Sequence, residues 1–234
     1  MNNKSHEVVI IGAVRTPIGT YKGILKNIKA DQLGSIAIRE VIKRSRINSD
    51  EIDEVIMGQV LTACNGQNPA RQAAINAGIS ISKPAYMVNQ VCGSGLRSVI
   101  SGYQSIKLGG AKKVISGGQE NMSLAPHSIY YREEKKISHD KLIDTMIHDG
   151  LLDAFNNYHM GVTAENIAEK FEILRDAQDN FALSSQKKAQ KAIENDKFKD
   201  ELVNVKINDT IINKDEHPRF DIKFQDLQKL KTAF

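Results

Sequence analysis

The chain of 234 residues contains no tryptophan and only two cysteines, and 6% of it is aromatic. Cys64 and Cys92 form neither a disulfide framework nor a CxxC pair, and no histidine stands at zinc-ligand spacing from them. This excludes a disulfide-stapled secreted scaffold and leads us to expect a reduced compartment and no metal site. Near the N-terminus the only continuous apolar run is Val8, Val9, Ile10 and Ile11. It is too short for a signal-peptide core or a spanning helix, so a cytoplasmic location with no membrane role is expected. The 32 basic and 28 acidic residues, net +4, are scattered. No run of like charge is long enough for a nucleic-acid arm, and no nucleic-acid partner is expected. Internal repeats and low-complexity segments are also missing. What remains, 41% hydrophobic and 26% charged, suits a soluble domain with or without a smaller appendage.

The first half alternates strand and helix signals. Residues 8–11 end at Gly12 and read as a buried parallel strand. A helical stripe follows at Leu33, Ile36, Ala37 and Val41. Asn48 and Ser49 can cap a short turn, after which 54–57 reads as a second strand. Asn68-Pro69 has the form of an N-cap with proline at the first helical position, and Gly78 is a stop signal. Residues 86–88 form a third strand candidate. Leu96, Val99, Ile100 and Tyr103 mark another helix, and Val114-Ile115 a fourth strand ending at Gly117-Gly118. Alternation of this kind predicts an α/β fold, a mostly parallel sheet with helices on both faces. From Gln119 to about residue 200 the chain becomes polar and helix-leaning. Thr163 can cap a helix carrying Ile167 and Phe171. A longer helix is expected over 176–195 with Phe181, Ala189, Ala192 and Ile193 inward. Val203, Val205 and Ile207 alternate as a short exposed strand would.

Residues 89–96, NQVCGSGL, place Cys92 between a strand end and a helix start. A strand end fixes position, and glycines let backbone and substrate approach closely. A helix N-terminus presents unpaired N–H groups and positive potential, which favours an anion. The N–H of Cys92 itself could donate to a developing oxyanion. The spacing suits a thiolate that forms a thioester intermediate. The alternative is a small buried cysteine with no chemical role. Cys64, with no helix onset directly after it, reads as structural.

NQVCGSGL resembles the nucleophile segment of the thiolase family, Asn-x-x-Cys-x-Ser-Gly at a helix start. In the same order, RTPIG (15–19) resembles the turn after the first thiolase strand. GQNPARQAA (66–74) resembles the helix start near the nucleophile, and SGGQENMS (116–123) the family's Gly-Gly-x-Glu-x-Met-Ser. YHMGVTAEN (158–166) resembles the segment bordering the coenzyme A site. In detail the chain is most similar to the biosynthetic acetyl-CoA acetyltransferases.

The resemblance implies a thiolase-like N-terminal half with a helix-rich loop region. The core would span 1–118, and the loop region and tail 119–234, with the C-terminal domain absent. It implies that Cys92 takes an acyl group from acyl-CoA. The enolate of acetyl-CoA then attacks, giving acetoacetyl-CoA from two acetyl-CoA, or the reverse thiolysis. No cofactor is implied beyond the coenzyme A thioester substrates. His159 and Met160 fall on positions that contact the pantetheine arm, and Leu151 on another coenzyme-lining position. Without the resemblance, His159 reads as a capping or surface residue, and Met160 and Leu151 as packing. Residues 125–138 correspond to a tetramer-forming loop, implying a homo-oligomer, dimer or tetramer, for a complete protein. Glu120 is read as holding backbone near the strand end.

The family's Gly-His-Pro, Cys-x-Gly-Gly-Gly and Asn-Glu-x-Phe segments do not occur in the 234 residues. KLKTAF (229–234) resembles a segment that precedes a further strand of the first half. The expectation is therefore an N-terminal portion, impaired as a catalyst by itself because the activating histidine and the enolate-forming base are missing. Without its partner half it would expose an apolar face and a sheet edge. The alternative reading is a non-catalytic fragment acting only as an assembly partner. A redox sensor is disfavoured for want of a resolving cysteine.

Overall fold

Short apolar runs separated by helices satisfy their backbone groups by lying side by side in parallel. In the computed structural model, which describes residues 7–132 and 142–234, three of the four expected strands do so. Strand β1 (Glu54–Gly58) lies between β2 (Ala85–Val88) and β3 (Val114–Gly118). Gly58 stands opposite both Val88 and Gly118, so the three strands end together. Helix α1 (Ala30–Ser45) precedes β1, and α2 (Pro69–Asn76) and α3 (Ser94–Lys107) make the crossovers.

Successive residues of β1 face opposite ways. Val55 and Met57 join Ile38 of α1 and Ala70, Ala73 and Ala74 of α2 in one apolar cluster. Ile56, fully buried, alternates to the opposite face with Gly58, where α3 packs. Helices thus cover both faces, as the alternating pattern predicts. The expected caps of α2 form: Asn68 Oδ1 accepts the Arg71 N–H at 3.1 Å, and Gly78 follows at φ +94°.

Helix α3 meets the sheet with small residues. Ser94, Ser98 and Gly102, four apart on one face, are buried. Ser98 Oγ donates to Gly117 O at 2.8 Å. A Cβ on Gly102 would lie 2.5 Å from Ser116 Oγ, so the helix sits closer than larger residues allow. Its apolar stripe therefore points outward, with Leu96 69% exposed and Val99, Ile100 and Tyr103 also open to solvent.

The expected first strand is not formed. Residues 8–11 join no ladder, and Ile10 is 80% exposed. An apolar run becomes a strand only when it docks on an edge, and here the outer edges of β2 and β3 carry no further strand among the described residues. Further on, Arg15 bridges to Leu202.

After Gly118 come β4 (His127–Ser128) paired with β5 (Ile143–Asp144), α4 (Thr145–Gly150), α5 (Met160–Lys170) and α6 (Arg175–Glu194). A hairpin of β6 (Val205–Ile207) and β7 (Thr210–Ile212) and a short α7 (Phe224–Gln228) complete the chain. Three expectations fail here. Helix α5 begins at Met160 with His159 as its cap, so Thr163 lies inside it. Phe181, expected inward on the longer helix, faces solvent at 77% exposure. The 203–207 segment alternates as expected, Asn204 and Lys206 being exposed, but its apolar side is covered, because Val205 and Ile212 pack on Leu25 and partly buried Leu33 and Ile36. Of the 125–138 loop, 133–138 lie outside the described residues.

A cluster of ions ties residues 15–24 to residues 201–216. Arg15 donates both terminal nitrogens to Asp215, at 2.7 and 2.9 Å, and Nε to Glu201 at 3.0 Å, above the ring of Phe198. Asp215 also accepts the Ile18 N–H, and Glu216 accepts those of Thr20 and Ile24. Among the described residues no helix is long and apolar enough to cross a membrane, and no group of three His, Cys, Asp or Glu could hold a metal ion.

Candidate functional site

In an open parallel sheet, ligands meet the chain at the carboxyl ends of the strands, where side chains leave the ladder and helices begin. Cys92 is at that end. It follows β2 by four residues and precedes the first residue of α3 by two. It is exposed, so the reading of a small buried cysteine does not hold.

The turn carrying it rests on glycine backbone. A Cβ on Gly58 would lie 2.4 Å from the Ser94 carbonyl carbon, and one on Gly118 would lie 3.4 Å from Gly95 Cα. The α3 entrance is thus pressed onto the ends of β1 and β3 at positions where only hydrogen occupies the space. The hydrogen bonds are local: Ser94 Oγ accepts the Gln90 N–H at 2.8 Å and donates to Val91 O at 2.6 Å. Asn89 Oδ1 accepts the Val91 N–H at 2.9 Å. Both side chains therefore shape the turn.

Glu120, just past the end of β3, reaches across to the loop after β1. Its Oε2 accepts the N–H groups of Val60 and Leu61 at 2.8 and 3.3 Å, so it holds backbone near the strand end. Its Oε1 is buried with no partner in the described chain. Burial raises the Glu120 pKa, opposed by the hydrogen bonds from Val60, Leu61 and Asn121.

Leu151, His159 and Met160 come together in the loop region. The Met160 N–H donates to Leu151 O at 2.8 Å, and an antiparallel bridge joins Leu152 to His159. His159 caps α5, its Nδ1 accepting the Gly161 N–H at 3.0 Å. In the neutral ring this leaves the proton on Nε2, a donor for an incoming acceptor. Met160 is 40% exposed. No hydrogen bond or ring contact links this group to Cys92, so the expected site residues form two sets.

Phe234 is a member of the second set that the residue pattern did not single out. Its ring stacks on His159, centroids 4.7 Å apart and planes at 25°. A Cβ on Gly161 would lie 2.0 Å from Phe234 Cε2, so glycine there is what admits the ring. No local signal marks an aromatic residue in a polar tail; the resemblance of KLKTAF was the only pointer.

The profile described as Thiolase, N-terminal domain matches residues 8–234. The acetyl-CoA acetyltransferase of Paracoccus denitrificans is 47% identical over 232 residues, covering 97% of this chain and 59% of that protein. The cytosolic acetyl-CoA acetyltransferase of Rattus norvegicus is 44% identical over 238 residues, covering 100% and 60%. The crystal structure of the Bacillus anthracis acetyl-CoA acetyltransferase superposes with a TM-score of 0.93 at 38% identity, over 100% of this chain and 60% of that one. The chain therefore spans about 60% of the length of the relatives it matches.

Proposed function

The chain belongs to the thiolase family, and we propose that it carries the acyl-accepting half of a thiolase reaction with Cys92 as the nucleophile. The observation that supports this most is the placement of an exposed cysteine at the carboxyl end of a parallel sheet, on a turn seated against glycine backbone. Cys92 Sγ, as thiolate, attacks the carbonyl carbon of acetyl-CoA. The bond from that carbon to the coenzyme sulfur breaks, coenzyme A leaves and takes up a proton, and an acetyl thioester remains on Cys92. The Cys92 N–H faces the task of stabilising the oxyanion formed on the way. Leu151, His159 and Met160, with Phe234 beside them, form the surface for the pantetheine arm, His159 Nε2–H being the donor. The substrates on this reading are coenzyme A thioesters, with no further cofactor. The 1–118 segment acts as the α/β core and 119–234 as the coenzyme-binding loop region and tail.

Condensation to acetoacetyl-CoA also needs a base to take a proton from the second acetyl-CoA, and no residue described above is placed for it. We therefore expect acylation without efficient condensation from these 234 residues alone. Incubating the chain with acetyl-CoA and measuring intact and peptide mass tests this. An acetyl adduct on Cys92, lost in Cys92→Ala, is the expected result. No adduct on any residue would overturn it.

The outward apolar stripe of α3 favours a second reading, in which the chain serves as an assembly partner. Co-purification with a full-length thiolase subunit, together with no acetyl adduct, would select it over the first.

A further inference from the structure

Residue 91 adopts a backbone conformation that valine avoids. Val91 has φ +49°, in the left-handed region where a β-branched residue is a genuine outlier. Such a residue persists there only when its surroundings over-determine the backbone. Five hydrogen bonds do so here. The Val91 N–H is held by Asn89 Oδ1 at 2.9 Å, and the Val91 carbonyl by Ser94 Oγ at 2.6 Å and the Ser94 N–H at 3.1 Å. Ser94 Oγ also takes the Gln90 N–H, and the Gly93 N–H closes the turn on Gln90 O at 3.0 Å. Ser94 cannot recede, because it is buried and its backbone is pressed onto Gly58.

Resting on the reading of Cys92 as acyl acceptor, we propose that Asn89 and Ser94 are positioning residues that hold Val91 left-handed and so aim Cys92 Sγ at the incoming thioester. Neither touches the reacting atoms. Loss of either side chain frees Val91 to return to negative φ. That change swings the following peptide and carries Cys92 off the entrance of α3. Glycine at 91 has no such tendency, since both signs of φ are open to it. The demand on Asn89 and Ser94 therefore exists because residue 91 is valine, and the three positions must be energetically coupled.

The test is a double-mutant cycle on the full chain. The readout is the iodoacetamide alkylation rate of Cys92 relative to Cys64, measured by peptide mass spectrometry, with Cys64 as internal control. N89A and S94A should each lower that ratio by about tenfold or more with Val91 present. In the V91G background each should lower it less than about threefold. N89D and S94T, which keep an acceptor or hydroxyl, should restore most of the loss and decide the matter if an alanine variant fails to fold. V91G alone should leave the unfolding midpoint unchanged or raise it. Losses within twofold, or of equal size in both backgrounds, overturn the proposal. Acetyl transfer from acetyl-CoA is measured in parallel. If the coupling holds but wild type takes no acetyl group, the acyl-acceptor reading fails and the turn geometry stands. If wild type is acetylated and the ratios are flat, only the positioning role fails.

Discussion

Ile56 and Asp215 are both shielded from water, and they are held in opposite ways. The Ile56 side chain is fully buried in the sheet and has nothing but packing to hold it. Asp215 is held by the guanidinium of Arg15 and the Ile18 N–H. The same contrast separates the chain before and after Gly118. Before it, Val55, Met57, Ala70, Ala73 and Ala74 make a continuous apolar cluster. After it, the buried apolar residues among those described are Val203, Val205, Ile212 and Leu227, and Val205 and Ile212 lean on Leu25 of the earlier segment. The rest of the later segment depends on polar links. Arg175 joins Asp179 to the carbonyls of Leu227 and Leu230, and Arg44 binds those of Asp200 and Leu202. The sheet thus depends on volume and the later segment on charge. Perturbations should discriminate between the two.

The largest effect belongs to the sheet. Ile56→Ala leaves a cavity between β1 and α3 and should cost about 2–5 kcal/mol of global stability. Chemical denaturation would show it as a lower midpoint at unchanged slope. A cost under about 1 kcal/mol would mean that α3 can settle into the gap, which the small-residue contact at Ser98 and Gly102 argues against.

Next comes the ion cluster. The Arg15 side chain is 26% exposed and that of Asp215 9%, so removing Arg15 leaves a mostly shielded carboxylate without its cation. Arg15→Ala should cost about 1–3 kcal/mol, less than a fully buried pair because solvent screens part of it. The loss should be local. Hydrogen exchange should speed up at 201–216 while the amides of β1 stay protected. Equal acceleration in both would erase the distinction between the segments.

The α/β class and three of four strands were legible because buried parallel strands must be apolar and glycine-bounded. The cysteine turn was legible because its residue types are dictated by close backbone approach. The orientation of α3 was not. Its hydrophobic stripe gave the helix, but Ser94, Ser98 and Gly102 decide which face meets the sheet. Proximity to a glycine-rich strand end selects small residues over apolar ones, and a periodicity argument is blind to that. Residues 8–11 failed for a related reason: a strand depends on a partner edge that its own residues do not specify. Likewise His159 could be read as a helix cap, but nothing local announced Phe234 stacked against it.

Acidity should separate the segments with opposite signs. Burial opposes ionisation of Asp215, but Arg15 and the Ile18 N–H outweigh it and hold its pKa below the ordinary value. A depressed carboxylate contributes stability that is fully present above its unfolded pKa of about 4 and is lost as pH falls through the folded value. Glu120 is the reverse, its pKa raised by burial. Its contribution is complete below its unfolded pKa of about 4.3 and fades as pH rises through the folded value. Lowering pH from neutrality toward about 4 should therefore firm the loop after β1 while the Arg15 cluster stays intact. Below that the cluster should loosen. Exchange rates followed across this range should show both trends, D215N removing the acid-side change and E120Q the neutral-side one. A single trend shared by both segments would refute the assignment.

The smallest effect is expected where the amino-acid pattern suggested a large one. Phe181 sits at a position of α6 that the helical pattern marks as inward, yet its ring is mostly in water. Phe181→Ala should change stability by no more than about 0.5 kcal/mol. A phenylalanine at a true core position would cost about 3–5 kcal/mol on the same change. Denaturation of the variant beside Ile56→Ala separates these two magnitudes cleanly. A large loss at Phe181 would mean that in solution its ring is covered, and the later segment would then depend on volume as the sheet does. A negligible loss leaves the hydrogen bonds from Arg175 to the carbonyls of Leu227 and Leu230 as the links between α6 and the α7 segment.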